Sequence, residues 1–326
     1  MTAMHDDVDQ AGDGNPAKSR STATGPAEPT RQRRRFLIIH NPVAGRNRIN
    51  LAREVVRRLE QAGAVADLHC LGNGASDDSF LSQISAYDAL VASGGDGTAR
   101  SMVSLLQGTD IPFGLIPAGT GNVLAEELQL PRDAAGLAHM LLHGPVVGIS
   151  TGAVNGAPLL LMLGAGFDGQ VVARLPIGLK RRIGKPAFGW PIMTALAQEP
   201  HLFSVTIDGK VREASWLIVA NAARYGGHFL LSERTNALTP GFNVVISRAR
   251  SRSQRLVELL HLVAGKLEKA KSIEMLPARE IEILNAEGLP VQIDGETIAS
   301  PSYRIVADVS RTPVIVPART HPTQAD

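Results

Sequence analysis

The feature that most constrains this 326-residue chain is Ala89-Leu-Val-Ala-Ser-Gly94-Gly95-Asp96-Gly97-Thr98, an apolar run ending in glycines and an acid that leads directly into the helix-like Ala99 to Leu106. A strand entering a helix through such a turn lets backbone N–H groups approach an anion, and the helix dipole favours the same charge. Asp96 adds a carboxylate where a magnesium nucleotide would sit. The plain alternative is a tight turn with Thr98 as N-cap; the crowding of glycines, acid and threonine weighs against it. A second such turn, Pro117-Ala-Gly119-Thr120-Gly121-Asn122, follows the apolar Phe113 to Ile116, and a third, Asn41-Pro42-Val43-Ala44-Gly45, follows Phe36-Leu-Ile-Ile. Loops at the carboxyl ends of successive parallel strands share one sheet edge, where open parallel sheets bind ligands.

Strand and helix patterns alternate around these turns. Asn50 to Ala62 places Leu51, Val55, Leu59 and Ala62 on one helical face, Ala86 to Ala92 reads as a strand, and Asn122 to Leu128 as a helix. This predicts an α/β domain over 36–145, a parallel sheet with helices on its faces. After about residue 145 the texture becomes strand-rich: Gly148 to Ala153, Leu159 to Leu163, Leu202 to Ile207, Ser215 to Ala222, Phe242 to Ser247, Ile273 to Met275, Glu280 to Leu284 and Val291 to Ile293. With Asn155-Gly156 and Asp208-Gly209 as hairpin turns, a mainly antiparallel β domain is expected over 146–300, interrupted by one amphipathic helix, Ser253 to Leu267. The closing strands, Ser302 to Val309 and Val314 to Val316 within 301–318, fit either domain.

Composition narrows the function. A hydrophobic content of 44% with 20% charged residues requires a buried core, and 33 basic against 31 acidic residues is too balanced for an obligate nucleic-acid binder. Cys70 is the single cysteine, which leaves no intrachain disulfide or Cys-rich zinc site and suits a cytoplasmic location. Residues 1–35 hold almost no large apolar residue and are expected to be a disordered tail, with 319–326 as a second. The first 35 residues contain no signal-peptide pattern, and Leu159 to Phe167 falls short of the roughly 20 apolar residues of a spanning helix. Any membrane contact is expected to be peripheral.

In order and rough spacing, Asn41-Pro-Val-Ala-Gly45, Gly94-Gly-Asp-Gly-Thr98, Pro117-Ala-Gly-Thr-Gly-Asn122, Gly164-Ala-Gly-Phe-Asp168 and Asp294-Gly-Glu296 resemble the diacylglycerol kinase catalytic-domain family, which includes sphingosine kinases and bacterial lipid kinases. The likeness runs from about 36 to 318. The Gly-Gly-Asp-Gly-Thr element alone is shared with NAD kinases and the wider phosphofructokinase-like group; the combination is what is specific. The resemblance implies an ATP-dependent, magnesium-requiring lipid kinase, with ATP between a phosphofructokinase-like nucleotide-binding domain and a β-sandwich, acting on a diacylglycerol-like or sphingoid-like lipid. By the same match, Asn41, Pro42, Val43, Ala44, Gly45, Gly94, Gly95, Asp96, Gly97, Thr98, Gly119 and Thr120 line the nucleotide. Asp294 and Glu296 supply the base for the lipid hydroxyl, and Asp96 stands near a catalytic Mg2+ held mainly by ATP phosphates. A homodimer stays open.

The residues themselves agree on Asp294 and Glu296 if extended geometry continues through Gly295, because residues two apart share a strand face, and paired like charges raise at least one pKa. The alternative is an Asp-Gly hairpin turn with two solvated acids. Several positions depart from the family. Arg100-Ser101 replaces a common Asn-Glu, so that Arg100 reaches a phosphate or simply covers the helix. Val123 replaces an Asp, Cys70 stands on a loose alignment for a nucleotide-contacting Thr, and Leu238-Thr-Pro240-Gly241 lacks the carboxylate of a structural magnesium site.

Other motifs read as decoys. Gly148-Ile-Ser150-Thr-Gly152 matches an esterase nucleophile pattern, but a hairpin, not a strand-to-helix elbow, is expected after Ser150. Gly178 to Lys185 resembles a phosphate loop with five intervening residues and Pro186 in place of Ser or Thr, so it is no Walker motif. The histidines show no metal-ligand spacing. Lys180, Arg181, Arg182 and Lys185 beside Phe188 and Trp190, with the basic run Arg31 to Arg35, suit an anionic membrane surface; the alternative is a solvated face. Against the lipid kinase stand two other readings, an NAD kinase and a non-catalytic lipid or nucleotide sensor.

Overall fold

A computed structural model of the chain describes residues 32–44, 49–72, 84–175, 188–226, 229–231 and 237–318. Along the first half run β1 (Arg35–His40), α1 (Ile49–Gln61), β2 (Val65–Cys70), β3 (Ala89–Gly94), α2 (Asp96–Leu105), β4 (Phe113–Pro117), α3 (Val123–Glu127) and α4 (Ala134–His143). The four strands pair in parallel in the order β2-β1-β3-β4. Every residue of β3 and β4 is buried, as parallel strands covered on both faces must be. Val55 and Leu59 of α1, Met102 and Val103 of α2 and Leu137 and Leu141 of α4 join them in one core.

The second half contains β5 (Val146–Val154), β6 (Ala157–Leu159), β7 (Met162–Gly166), α5 (Phe167–Ala173), α6 (Gly189–Leu196), β8 (Phe203–Ile207), β9 (Lys210–Ala214), β10 (Trp216–Ala220), β11 (Arg224–Tyr225), β12 (Phe229–Leu230), β13 (Phe242–Ser247), α7 (Arg252–Val263), β14 (Ile273–Ala278), β15 (Glu280–Ile283), β16 (Val291–Ile293), β17 (Glu296–Ile298) and β18 (Tyr303–Ile315). An antiparallel sheet in the order β14-β13-β10-β7-β16-β17 forms one layer. The other layer is continuous with the first sheet: β18 meets β4 in parallel at Val314 and Phe113, and pairs antiparallel with β5 and β15. Val205, Ile207, Ile281 and Ile305 from one layer pack on Leu163, Leu217, Val244 and Val291 from the other. On the opposite face of the six-stranded sheet, Trp216, Ile218 and Val245 lie under Phe167, Val171, Ala195 and Leu262 of α5 to α7. The architecture is the expected α/β domain joined to an antiparallel β-sandwich.

The departures from the sequence reading have local causes. Helix α2 starts at Asp96, with Gly95 as an N-cap that makes no side-chain cap bond, so the glycine turn is itself the helix's first turn. Thr98 is therefore not the N-cap, and is buried. Gly94 is required beside it, because a Cβ there would lie 2.4 Å from Thr98 Oγ1. The apolar run Leu159 to Leu163 is split between β6 and β7 at Leu160-Leu161, and the two closing strands form one strand, β18, with a register shift between Val306 and Ser310. Arg33, counted in the basic tail run, is buried: its guanidinium donates to the carbonyls of Leu141 (2.7 Å) and Gly144 (2.5 Å) at the C-terminus of α4. It is thereby withdrawn from the exposed basic run.

Candidate functional site

The glycine loops after β1, β3 and β4 are joined by side-chain bonds. Asn41 Nδ2 donates to Thr98 Oγ1 at 3.0 Å, and Asn41 Oδ1 accepts from the amide of Val43 at 3.0 Å, which shapes the first loop and ties it to α2. The carbonyl of Gly94 accepts from the amides of Ala118 (2.8 Å) and Gly119 (3.1 Å). Asp96 binds across to the third loop, Oδ2 accepting from the amide of Val123 at 3.1 Å and Oδ1 from that of Leu124 at 3.0 Å. It thus serves as the anionic cap of α3. Asn122 holds a left-handed backbone (φ 51°) as its side chain bonds both the amide and the carbonyl of Gly119 at 2.9 Å. Glycines 95 and 119 are in backbone contact: a Cβ on Gly119 would lie 2.5 Å from Gly95 Cα.

The fourth part comes from the β-sandwich. Asp294 and Gly295 form the two-residue turn between β16 and β17, with φ 50° and 87°, as a type I′ hairpin demands. The extended geometry that would place both carboxylates on one strand face is therefore not present. Neither is the pair of solvated acids. Asp294 Oδ1 accepts from the amides of Leu161 and Met162, each at 2.9 Å, and Oδ2 from that of Leu160 at 3.2 Å. These are the amides freed where the Leu159 to Leu163 run breaks. Desolvation raises the Asp294 carboxyl to about 6, against the opposing pull of those amides and of Arg100. Glu296 points instead at the glycine turn, its Oε1 lying 3.1 Å from where a Gly97 Cβ would stand, and pairs with Arg100.

Asn41, residues 94–98, residues 119–122 and the 294–296 turn thus meet at one place. Pro42, Val43 and Ala44 sit in the first loop and Thr120 in the third; Gly45 lies outside the described residues, as does the Lys180 to Lys185 cluster. Ser150 lies in the middle of β5, with the Asn155-Gly156 hairpin turn after it, and so occupies no nucleophile elbow. The glycine turns fit a phosphate chain: backbone loops at the carboxyl edge of parallel strands, with one helix start free of a side-chain cap. For Mg2+ the fit is narrower. Among the described residues no group of three His, Cys, Asp or Glu stands together, and both oxygens of Asp96 already receive amides. A bound Mg2+ would take most of its ligands from phosphate oxygens, with Asp96 at most one contributor.

Two further features were not legible as contacts, because their partners are remote, although Asp168 stands in the Gly164 to Asp168 motif. Buried Asp168 accepts from Tyr225 Oη and, at 2.7 Å, from Gln292 Nε2, fixing β16 just before the acid turn; desolvation pushes its carboxyl up. Glu127 at the end of α3 accepts the amides of Ala223 and Ala237 from the sandwich.

Fold and site together define a two-domain protein, an α/β sheet with converging glycine loops faced by an acid-bearing hairpin of a β-sandwich. Residues 35–154 match the family model described as the diacylglycerol kinase catalytic domain, and residues 162–317 match the YegS C-terminal NAD kinase beta sandwich-like domain. A diacylglycerol kinase of Bacillus subtilis is 26% identical over 81% of this chain and 90% of its own length. An uncharacterized Synechocystis protein is 29% identical over 78% of this chain, which spans 57% of that protein's length. A crystal structure of a diacylglycerol kinase from Bacillus anthracis superimposes with a TM-score of 0.64 at 19% identity, covering 90% of this chain and 99% of that one. The chain belongs to the diacylglycerol kinase catalytic-domain family of lipid kinases.

Proposed function

We propose that this protein transfers the γ-phosphoryl group of ATP to a hydroxyl of a diacylglycerol-like or sphingoid-like lipid. The observation that carries the reading is the convergence of the glycine loops with the Asp294-Gly295-Glu296 turn at the carboxyl edge of the parallel sheet. In the transfer, the lipid oxygen bonds to the γ-phosphorus, the bond to the β,γ-bridging oxygen breaks, and the hydroxyl proton passes to a carboxylate. Asp294 suits that last role: a carboxyl raised to about 6 is ionised at neutral pH yet remains a better base than an ordinary aspartate. The loops position the phosphates, and positioning with charge neutralisation is most of what phosphoryl transfer asks of a protein. Mg2+, when bound with the nucleotide, supplies neutralisation of phosphate charge.

The substrate lies in a membrane, and the described residues contain no helix long and apolar enough to span one. We take contact to be peripheral, at an anionic surface, with Trp190 (74% exposed) and Met193 (63%) on α6 as apolar contacts and the basic residues Lys180 to Lys185 a few positions earlier in the sequence. Salt-sensitive sedimentation with anionic vesicles tests that contact.

The test of function is incubation with labelled ATP and Mg2+ against diacylglycerol, sphingosine and NAD in parallel. Labelled lipid phosphate supports the reading. Label on NAD alone replaces it with the soluble-dinucleotide reading, and ATP binding without label on any acceptor replaces it with a sensor.

A further inference from the structure

Arg100 stands one helical turn beyond Asp96 on α2, and its guanidinium crosses to the acid turn of the sandwich. Nη2 pairs with Glu296 Oε2, while Nη1 donates to the carbonyl of Ile293 at 3.3 Å. These two acceptors flank Asp294-Gly295 in the chain, so one planar group grips both arms of the hairpin. The other side of the turn is held by the amides of Leu160, Leu161 and Met162 on the Asp294 carboxylate. We propose that Arg100 is a positioning residue of phosphoryl transfer, clasping the Ile293 to Glu296 turn so that its acids stand at a fixed distance from the glycine loop. The clasp rests on the kinase reading above for its catalytic consequence.

Two simpler roles fit less well. A surface ion pair is worth little, and Glu296 is 61% exposed, but the Arg100 side chain is only 21% exposed and makes its second bond to backbone, which a mobile surface pair does not. As a phosphate ligand Arg100 would have only its three remaining N–H groups to offer, since one on each terminal nitrogen already binds the hairpin. A planar fork of fixed geometry suits two acceptors on opposite arms; a lysine ammonium, a single compact charge on a flexible stem, matches them less well.

The experiment uses the full chain with Arg100→Ala, Arg100→Lys, Glu296→Gln and the Arg100→Ala/Glu296→Gln pair. ATP affinity is read by calorimetry, kcat on a short-chain soluble lipid, and hydrogen exchange over residues 291–298. Arg100→Ala is expected to lower kcat by about tenfold to a hundredfold, the usual result of misplacing a reacting group, and to speed exchange over 291–298 while ATP affinity holds within about twofold. Arg100→Lys is expected to recover only part of kcat, and the double variant to lose less than the product of the single losses. A fall in ATP affinity matching the fall in kcat would make Arg100 a nucleotide ligand and overturn the proposal. So would unchanged kcat, or multiplicative losses in the pair. If the parent phosphorylates no lipid, the kinase reading fails and takes the catalytic half with it; unchanged exchange over 291–298 overturns the clasp whatever the activity.

Discussion

The carboxylate of Glu127 accepts the amide of Ala223 on both oxygens, at 3.2 and 3.1 Å, binding the short helix α3 of the first domain to the sandwich. The amide of Ala237 joins at 3.3 Å. Because α3 is capped at its other end by Asp96, one short helix connects the glycine loops to the second domain. Burial raises the Glu127 carboxyl above the ordinary range, with these amides opposing the shift.

Glu127→Ala should lower stability by about 1–3 kcal/mol, the cost of leaving part-buried donors unpaired. Glu127→Gln keeps a carbonyl acceptor and should lose less. Urea unfolding gives the stability, and exchange at the Ala223 and Ala237 amides gives the local effect. Unchanged exchange at both amides in Glu127→Ala would show that they are satisfied elsewhere.

Activity and stability should move in opposite directions with pH at Asp294. In the proposed role of proton acceptor it must be ionised, so kcat/KM should rise with pH through about 6. The linkage has the other sign. Its folded pKa lies above the ordinary 3.8, so the folded state holds the proton more tightly. Its contribution to stability is therefore full below 3.8 and is lost as pH rises towards about 6. Asp294→Asn should abolish most activity and remove that part of the stability slope. A kcat/KM profile flat from pH 5 to pH 7 would assign the proton to another group.

The parallel sheet was legible because its signal is local: fully apolar runs ended by glycine turns, as at β3 and β4. Edge strand β2 was not, since Val65-Ala-Asp-Leu-His-Cys70 is neither a continuous apolar run nor a strict alternation, and only one of its positions is buried. The acid turn was legible as residue types but not as geometry. Nothing near Asp294 in sequence indicates that amides more than 130 residues away will receive its oxygens. The same holds for Arg100, whose hairpin partners lie 193 and 196 residues along. Periodicity reports which face of an element is buried; it carries no record of which remote backbone group an acid will meet.

Two glycines of the cleft should respond differently to alanine. At Gly119 the new Cβ would meet Gly95 Cα at 2.5 Å, and neither loop can move without losing the bonds to the Gly94 carbonyl. At Gly97 the nearest atom is Glu296 Oε1 at 3.1 Å, the free end of a side chain. Overpacking of a fixed backbone costs about 1–3 kcal/mol, so Gly119→Ala should weaken ATP binding by about tenfold to a hundredfold, and Gly97→Ala much less. Calorimetric titration with ATP compares them. Equal affinities would mean that the phosphates do not lie against the Gly95 and Gly119 loops.

The sandwich's most vulnerable point is predicted to be Arg255 with Glu258, both on α7 and both buried, their side chains 3% and 0% exposed at a separation of 2.9 Å. Glu258 Oε1 accepts from Ser247 and Ser272 at 2.6 Å each, and Arg255 donates to Ser247 (3.1 Å) and Ser215 (2.8 Å). The guanidinium also lies over the rings of Phe167 and Trp216, at 5.0 and 5.3 Å. Desolvation lowers the Arg255 pKa to about 10, with Glu258 pulling the other way, so the arginine stays charged at neutral pH and depends on its partner. Removing one member of a buried pair strands the other charge, at about 3–5 kcal/mol, whereas replacing both with apolar side chains is often neutral. Glu258→Gln should therefore lower the urea midpoint sharply, and the Arg255→Met/Glu258→Leu pair should recover most of the loss. If the pair unfolds as early as Glu258→Gln, the serine bonds and ring contacts of Arg255 carry the stability, and charge compensation does not.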